Sequence, residues 1–180
     1  DSLISEAGLD KNNGLRNETI IEGLYSCGLR VSELIDLKIS DLFLDENLIK
    51  VLGKGNKERF VPVSKTAKKL IVEYIESIRN FKKIKKGHED TLFINNRGQK
   101  LTRVMIYTIL NNLANNIGLK KKISPHVLRH SFATHLIENG ADIISIQKMM
   151  GHENIVTTEK YLHVKSKHLI DSVLKYHPRS

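Results

Sequence analysis

A stretch near the carboxyl end of the chain, residues 124–140, constrains the fold more than any other part of the sequence. Ser124 and Pro125 are typical of a helix start, because the serine side chain can accept a bond from a first-turn amide and proline has no N–H to lose. Apolar residues then recur every four positions, as on the buried face of a helix: Leu128, Phe132 and Leu136. Asn139-Gly140 indicates the end of this helix. The pattern predicts a mainly helical core.

Two more helices are predicted directly after it. The first is short and apolar, with Ile143, Ile146 and Met150, and ends at Gly151-His152; the second begins near Asn154 and carries Tyr161. The three helices bring polar side chains onto or near their ends: His126, Arg129, His152 and Tyr161. His126 and Arg129 are three residues apart, so they share one helix face and can converge on one target.

These residue types suit chemistry on a phosphodiester. The rigid guanidinium fork of arginine matches the geometry of a phosphate, and histidine can give or take a proton near neutral pH. Tyrosine is a poor nucleophile at a pKa of about 10 unless its surroundings activate it. The chain also carries 29 Lys and Arg against 20 Asp and Glu, a formal charge of +9, which favours a polyanionic partner. Ribosomal and chaperone-like proteins share this charge balance, so it is weak evidence alone.

The remaining sequence predicts one domain of class α+β, mainly α-helical, with a small antiparallel β-hairpin or sheet on one edge. Residues 1–15 are polar and are interpreted as a linker or N-terminal tail. Helices are expected from Asn17 to Gly28, around residues 31–35, from Ser64 to about Asn80, from Thr102 to Gly118 and from Ser166 onward. Residues 48–52 and 59–63 predict a hairpin with a lysine-bearing tip, and residues 91–94 a short strand.

Five segments resemble a known family. HVLRHSFATHL, MMGH and TTEKYLHV resemble the carboxyl-terminal signature of the tyrosine recombinases (phage integrases), especially the Xer group, with His-x-x-Arg, Gly-His and then a nucleophilic tyrosine nine residues on. The resemblance makes Tyr161 the nucleophile and His126, Arg129 and His152 catalytic. GLRVSEL resembles the family's first catalytic-arginine motif and adds Arg30, which on its own could equally form a surface ion pair with Glu33. GKGNKERFVPV resembles the Xer hairpin with a catalytic lysine and adds Lys54.

The resemblance implies a site-specific DNA recombinase, serving chromosome dimer resolution or integration of a mobile element, with no metal or other cofactor. Residues 16–165 would form the catalytic domain, and the separate N-terminal core-binding domain of the family is expected to be absent. Residues 166–180 would form a C-terminal helix that packs on its own domain or, as the resemblance favours, on a neighbouring protomer in a tetramer on duplex DNA. A single cysteine fits a reducing cytosol, and no signal peptide is visible in the sequence. The resemblance implies a bacterial, nucleoid-associated protein of the cytoplasm.

Further DNA contacts are expected from four side chains. Lys57 and Arg59 in the hairpin are interpreted as phosphate contacts or as solvated charges, and Arg103 and Tyr107 as groove-facing or ordinary surface residues. Glu33 is interpreted as an orienting or structural neighbour of Arg30.

Three other interpretations compete with the recombinase. His126 and His130 have the spacing of a helical metal pair and His135 is close, but Val127 stands where a metalloprotease needs glutamate. His130 and His135 are therefore expected to pack or to form hydrogen bonds. Residues 130–161 look somewhat like a helix-turn-helix, which would make the chain a plain DNA-binding module. A type IB topoisomerase uses similar chemistry.

Overall fold

The computed structural model describes residues 2–53, 55, 57–151 and 162–179, with only the backbone of residues 162–168. Within these residues the chain forms eight α-helices: α1 (Ser2–Gly8), α2 (Gly14–Ser26), α3 (Val31–Asp36), α4 (Lys65–Ser77), α5 (Arg103–Asn116), α6 (Pro125–Glu138), α7 (Ile143–Met150) and α8 (Leu162–Tyr176). None of the helices in this part of the chain is both long and apolar enough to cross a bilayer.

Three strands form one small antiparallel sheet in the order β1 (Leu42–Phe43), β2 (Leu48–Leu52) and β3 (Glu58–Pro62). The β2–β3 register pairs Ile49 with Val61 and Val51 with Arg59. The predicted hairpin is thus confirmed. β1 was not predicted, because a two-residue strand shows no alternation in the sequence.

Three helices, α4, α5 and α6, begin at the capping residues that the sequence indicated. The side chains of Ser64, Thr102 and Ser124 each accept a bond from the amide three residues on, at 3.1, 3.2 and 3.4 Å respectively. Asp142 caps α7 in the same way, at 3.0 Å from the amide of Ser145. Each cap satisfies an orphan N–H and fixes where its helix begins.

The larger of two apolar cores lies between the first five helices and the sheet. It is built on side chains with almost no exposed surface, among them Ile20, Leu24, Leu34, Ile49, Val61, Tyr74, Phe93 and Leu110. Leu3, Ile4 and Ala7 of α1 belong to it. The interpretation of residues 1–15 as a tail was therefore wrong, because this short helix buries its apolar face against the core.

The second core joins the last three helices. Its buried members are Phe132, Leu136, Ala141, Ile146, Met149, Met150 and Val173. α8 supplies Val173, so within the single chain this helix packs on its own domain. α8 also begins at Leu162, ahead of the predicted Ser166.

Residues 91–94 do not form the predicted strand. Leu92, Phe93 and Ile94 are all buried, but they pair only through the isolated bridges Lys38–Thr91 and Ile94–Lys100. A continuous apolar run is typical of any buried segment, so burial alone did not indicate a ladder.

Candidate active site

Glu33 lies at the centre of a cluster of three arginines. Its side chain is only 1% exposed. It sits in the first turn of α3, where Oε2 accepts a bond from the backbone N–H of Arg30 at 2.8 Å and Oε1 accepts one from Arg30 Nη1 at 2.9 Å. The carboxylate therefore caps its own helix and holds the Arg30 side chain. This fits the interpretation of Glu33 as an orienting neighbour.

Arg59 reaches the same carboxylate from β3. Its Nη1 and Nη2 donate to Oε1 and Oε2 of Glu33 at 2.6 and 2.9 Å, a two-point ion pair. Its Nε donates to the carbonyl of Met149, near the end of α7, at 3.2 Å. With 14% of its side chain exposed, Arg59 is not a solvated charge, and that alternative was wrong. Because Val61 is buried and side chains alternate along a strand, the sequence placed Arg59 on the inward face, a signal that was missed.

Arg129 completes the cluster from α6, one turn after its Ser124 cap. Nη1 donates to the carbonyl of Gly28 and lies 3.8 Å from Glu33 Oε2, and Nη2 donates to the carbonyl of Met150. Its side chain is 7% exposed, whereas that of Arg30 is 33% exposed. Arg30 is thus the member of the cluster that is most open to solvent.

The electrostatics of the cluster favour an added anion. Burial alone would raise the pKa of Glu33, but the hydrogen bonds and charge of Arg59 and the bonds from Arg30 outweigh it and lower this pKa. Burial, followed by the charge of Arg30, lowers the pKa of Arg129 to about 10, which still leaves it protonated at neutral pH. Three positive charges thus face one negative charge, and a phosphate would balance the excess.

The chain leaves α7 directly against these arginines. Gly151 ends the helix in the left-handed conformation, with φ of +67°, and a Cβ there would lie 3.1 Å from Arg59 Nε and 3.4 Å from Arg30 Nη1. Only glycine fits both the backbone and the close approach. The next residue in sequence is His152.

The other predicted site residues are spread differently. His126 is exposed in the first turn of α6, one turn before Arg129. Lys57 and Arg103 are exposed and Tyr107 is half-buried; the last two lie on α5, outside the arginine cluster. Lys54, His152 and Tyr161 lie outside the described residues, so their roles stay predictions.

The remaining histidines of α6 do not extend the cluster. His130 is exposed, and His135 is half-buried, with Nδ1 bonded to the hydroxyl of Tyr25 at 2.8 Å. In the part of the chain that the structure describes, no three His, Cys, Asp or Glu side chains are grouped so that they could hold a metal ion.

Sequence relatives are bacterial recombinases. The chain is 44% identical over 180 residues to tyrosine recombinase XerD of Listeria innocua, covering all of this chain and 61% of that protein. It is 46% identical over 175 residues to XerD of Oceanobacillus iheyensis, covering 97% of this chain and 59% of that one. The chain therefore spans about three fifths of the length of these relatives.

Solved structures and a family model agree with this relationship. The crystal structure of XerA recombinase superposes with a TM-score of 0.76 at 36% identity, covering 99% of this chain and 63% of that one. XerH site-specific recombinase bound to difH substrate, in a pre-cleavage complex, superposes with a TM-score of 0.72 at 29% identity, covering 92% of this chain and 49% of that one. Residues 2–168 match the model of the phage integrase family. The chain belongs to the phage integrase family.

Proposed function

We propose that this chain is the catalytic part of a tyrosine site-specific recombinase, which cuts and rejoins duplex DNA through a 3′-phosphotyrosyl intermediate. One observation carries the proposal. Arg30 and Arg129, from two separate sequence motifs, converge on Glu33 and leave excess positive charge beside a partly open guanidinium. The bacterial recombinases named above are the relatives of the whole domain.

The proposed reaction exchanges one phosphodiester for another. The phenolic oxygen of Tyr161 forms a bond to phosphorus while the bond to the 5′-oxygen breaks, and His126 accepts the phenolic proton. Lys54 gives a proton to the departing 5′-oxygen. Attack by a 5′-hydroxyl of the partner duplex reverses the step, so no external energy is consumed.

Arg30 and Arg129 would bind the non-bridging oxygens as charge builds on them. A preorganised donor of this kind contributes about 10²–10³ in rate, and general acid–base help about 10²–10⁴. His152 would donate a further hydrogen bond to the phosphate. Because Arg129 is anchored to the carbonyls of Gly28 and Met150, its guanidinium is already fixed before DNA arrives.

Covalent trapping tests the nucleophile. A pool of nicked duplexes with random central sequence is incubated with the chain, and strands that co-migrate with protein in SDS are recovered and sequenced. We expect adducts linked to Tyr161 through a 3′-phosphate, and none with Tyr161→Phe. Adducts that persist in Tyr161→Phe, or no adduct with the unaltered chain, contradict the proposal.

DNA contacts by Lys57, Arg103 and Tyr107 form a second part of the proposal. Their support is the exposure of Lys57 on the hairpin and of Arg103 on α5, where Tyr107 is half-buried. Binding should weaken steeply as salt rises, because each neutralised phosphate releases counterions. Lys57→Gln and Arg103→Gln should each reduce the salt slope by about 1, whereas Tyr107→Phe should leave it unchanged. A salt-independent affinity would contradict this part.

Assembly on DNA is the third part. We propose that four copies meet on the recombination site in a bacterial nucleoid, and that the segment after α8 reaches a neighbouring protomer there. In the single chain, an ion pair between Arg179 Nε and the buried Glu22 Oε2, at 2.8 Å, binds this segment to α2 of the same chain. Sedimentation with the recovered duplex should give a four-copy complex, and deletion of residues 177–180 should reduce it while single copies still bind. A complex unchanged by the deletion would contradict the exchange.

The competing functions have less support. A DNA-binding module without catalysis has no need of three arginines around a buried carboxylate. A type IB topoisomerase would use similar chemistry, but the relatives of this chain are recombinases.

A further inference from the structure

Arg59 joins three elements of the fold. It belongs to β3, its two-point ion pair reaches Glu33 of α3, and its Nε bonds to Met149 of α7. The family motifs in the sequence assign no catalytic role to Arg59. All three of its nitrogens nevertheless donate to protein acceptors, so its guanidinium has a defined position and plane.

Two glycines pack against this guanidinium. A Cβ on Gly53 would lie 3.4 Å from Arg59 Nη1, and a Cβ on Gly151 would lie 3.1 Å from Arg59 Nε. The approach at Gly151 is tighter than ordinary packing. The approach at Gly53 is an ordinary contact, and a Cβ there would also lie 3.3 Å from the carbonyl oxygen of Lys57. Gly53 immediately precedes Lys54, and Gly151 immediately precedes His152.

The base of the hairpin is ordered up to this point. Leu52 pairs with Glu58, and the amide of Gly53 donates to the carbonyl of Lys57 at 2.8 Å. Arg59 pairs with Val51 in the same ladder. The position of the hairpin relative to the arginine cluster is therefore set where Arg59 meets Glu33.

We propose that Arg59 is a positioning residue for DNA cleavage: bound to Glu33 and Met149, its guanidinium fixes the base of the hairpin, whose next residue in sequence after Gly53 is Lys54, the predicted proton donor to the leaving 5′-oxygen. This inference rests on the proposed recombinase function. It replaces the expectation that Arg59 contacts a DNA phosphate, because its nitrogens are already used within the protein.

The test compares two leaving groups. One nicked duplex, with the sequence recovered by trapping, carries the normal 5′-oxygen at the scissile position; the other carries a bridging sulfur there. A thiolate leaves without protonation, so the sulfur substrate does not need a general acid. A variant that has lost only the placement of Lys54 recovers on sulfur, whereas a variant that has lost the phosphate clamp or the fold does not.

Arg59→Met is the main variant. We expect the single-turnover cleavage rate of the oxygen substrate to fall about 10²-fold, the usual effect of a misplacement of about 1 Å. On the sulfur substrate, the rate defect of the same variant should be at least about tenfold smaller. Arg59→Lys keeps the positive charge, but its ammonium cannot span both carboxylate oxygens and the carbonyl of Met149. Its cleavage rate on the oxygen substrate should lie between those of the unaltered chain and Arg59→Met. The salt slope of DNA binding should not change.

Two matched variants control for folding. Arg79→Met removes another buried arginine, whose Nε donates to the carbonyl of Thr91 at 2.9 Å, and should leave the ratio of the oxygen and sulfur rates unchanged. Gly53→Ala keeps every charge and adds only a Cβ, which would lie 3.3 Å from the carbonyl oxygen of Lys57 and 3.4 Å from Arg59 Nη1. It should show a smaller defect that sulfur also relieves. This variant carries the test if Arg59→Met does not fold.

The outcomes separate the two levels of the proposal. No adduct on either substrate with the unaltered chain refutes the recombinase function. Adducts with the unaltered chain, combined with a normal oxygen rate in Arg59→Met or with equal losses on both substrates in folded Arg59→Met and Gly53→Ala, refute the positioning role alone.

Discussion

Replacing Glu33 with glutamine should destabilise the protein by about 3–5 kcal/mol, the usual cost of removing one partner from a buried ion pair. The contacts support this figure. Each carboxylate oxygen accepts two bonds, one from Arg30 and one from Arg59. Glutamine keeps one acceptor oxygen and turns an NH₂ toward donors. It therefore loses two charge-assisted bonds of about 1.5–3 kcal/mol each.

Sulfate should return part of the lost stability to Glu33→Gln. A dianion bound among Arg30, Arg59 and Arg129 replaces the missing charge, and at about 100 times its Kd it would contribute about 2.7 kcal/mol. Sulfate also stabilises proteins by exclusion from their surface, so the effect must be measured against a matched variant. Glu22→Gln removes a buried carboxylate that pairs with Arg179 and accepts a bond from the Ser26 hydroxyl, away from the arginine cluster, and supplies that comparison.

Urea unfolding at pH 7 and constant ionic strength measures both effects, with sodium chloride or sodium sulfate as the salt. The full contribution of Glu33 is present at pH 7, because its pKa is lowered in the folded state. This contribution should fade as the pH drops below about 4.3, the ordinary value for glutamate, and through the folded value. A cost below about 1 kcal/mol, or the same sulfate gain in both variants, would refute a cluster of buried charges that is short of one anion.

Three further predictions concern the fold around the site. Gly28→Ala should cost about 1–3 kcal/mol in urea unfolding, because Gly28 has φ of +58° and an added Cβ would lie 2.5 Å from the ring of Phe132; a neutral effect would contradict this packing. Burial lowers the pKa of His177 to about 4, so the unfolded state binds more protons between about pH 6.5 and 4 and stability should fall by up to about 3 kcal/mol across that range. His177→Phe should flatten that pH slope, and an unchanged slope would exclude His177 as its source. Burial raises the pKa of the Cys27 thiol to about 12, so thiol reagents should label it only at the rate of unfolding; fast labelling of the native protein would contradict its burial.

Local signals in the sequence predicted most of the fold. Helix caps such as Ser64, Thr102 and Ser124 act over three or four residues, and the apolar stripe of α6 repeats over three turns. α1 was missed because a seven-residue helix is not stable by itself, and its burial against α2 and α5 depends on the tertiary fold.

The site was predictable in its residue types but not in its connections. The motifs around Arg30 and Arg129 predicted that both arginines bind one phosphate, and the structure brings both arginines to Glu33. The link from Arg59 to Glu33 spans 26 residues, and it exists only because β3 packs beside α3 and the end of α7. The spacing of residues along the sequence does not predict such a tertiary contact. Glycines that seemed to serve only turns, Gly53 and Gly151, also make room for the Arg59 guanidinium.

The long sequence separation within the cluster has a consequence during synthesis. A nascent chain that has left the ribosome only as far as β3 already contains Arg30, Glu33 and Arg59. Arg129 reaches the carbonyl of Gly28 from 101 residues away, so it joins only after a further 70 residues beyond Arg59 have been made. An unfinished translation product that lacks Arg129 therefore holds an incomplete cluster, with two arginines beside Glu33 and one fewer positive charge for an anion.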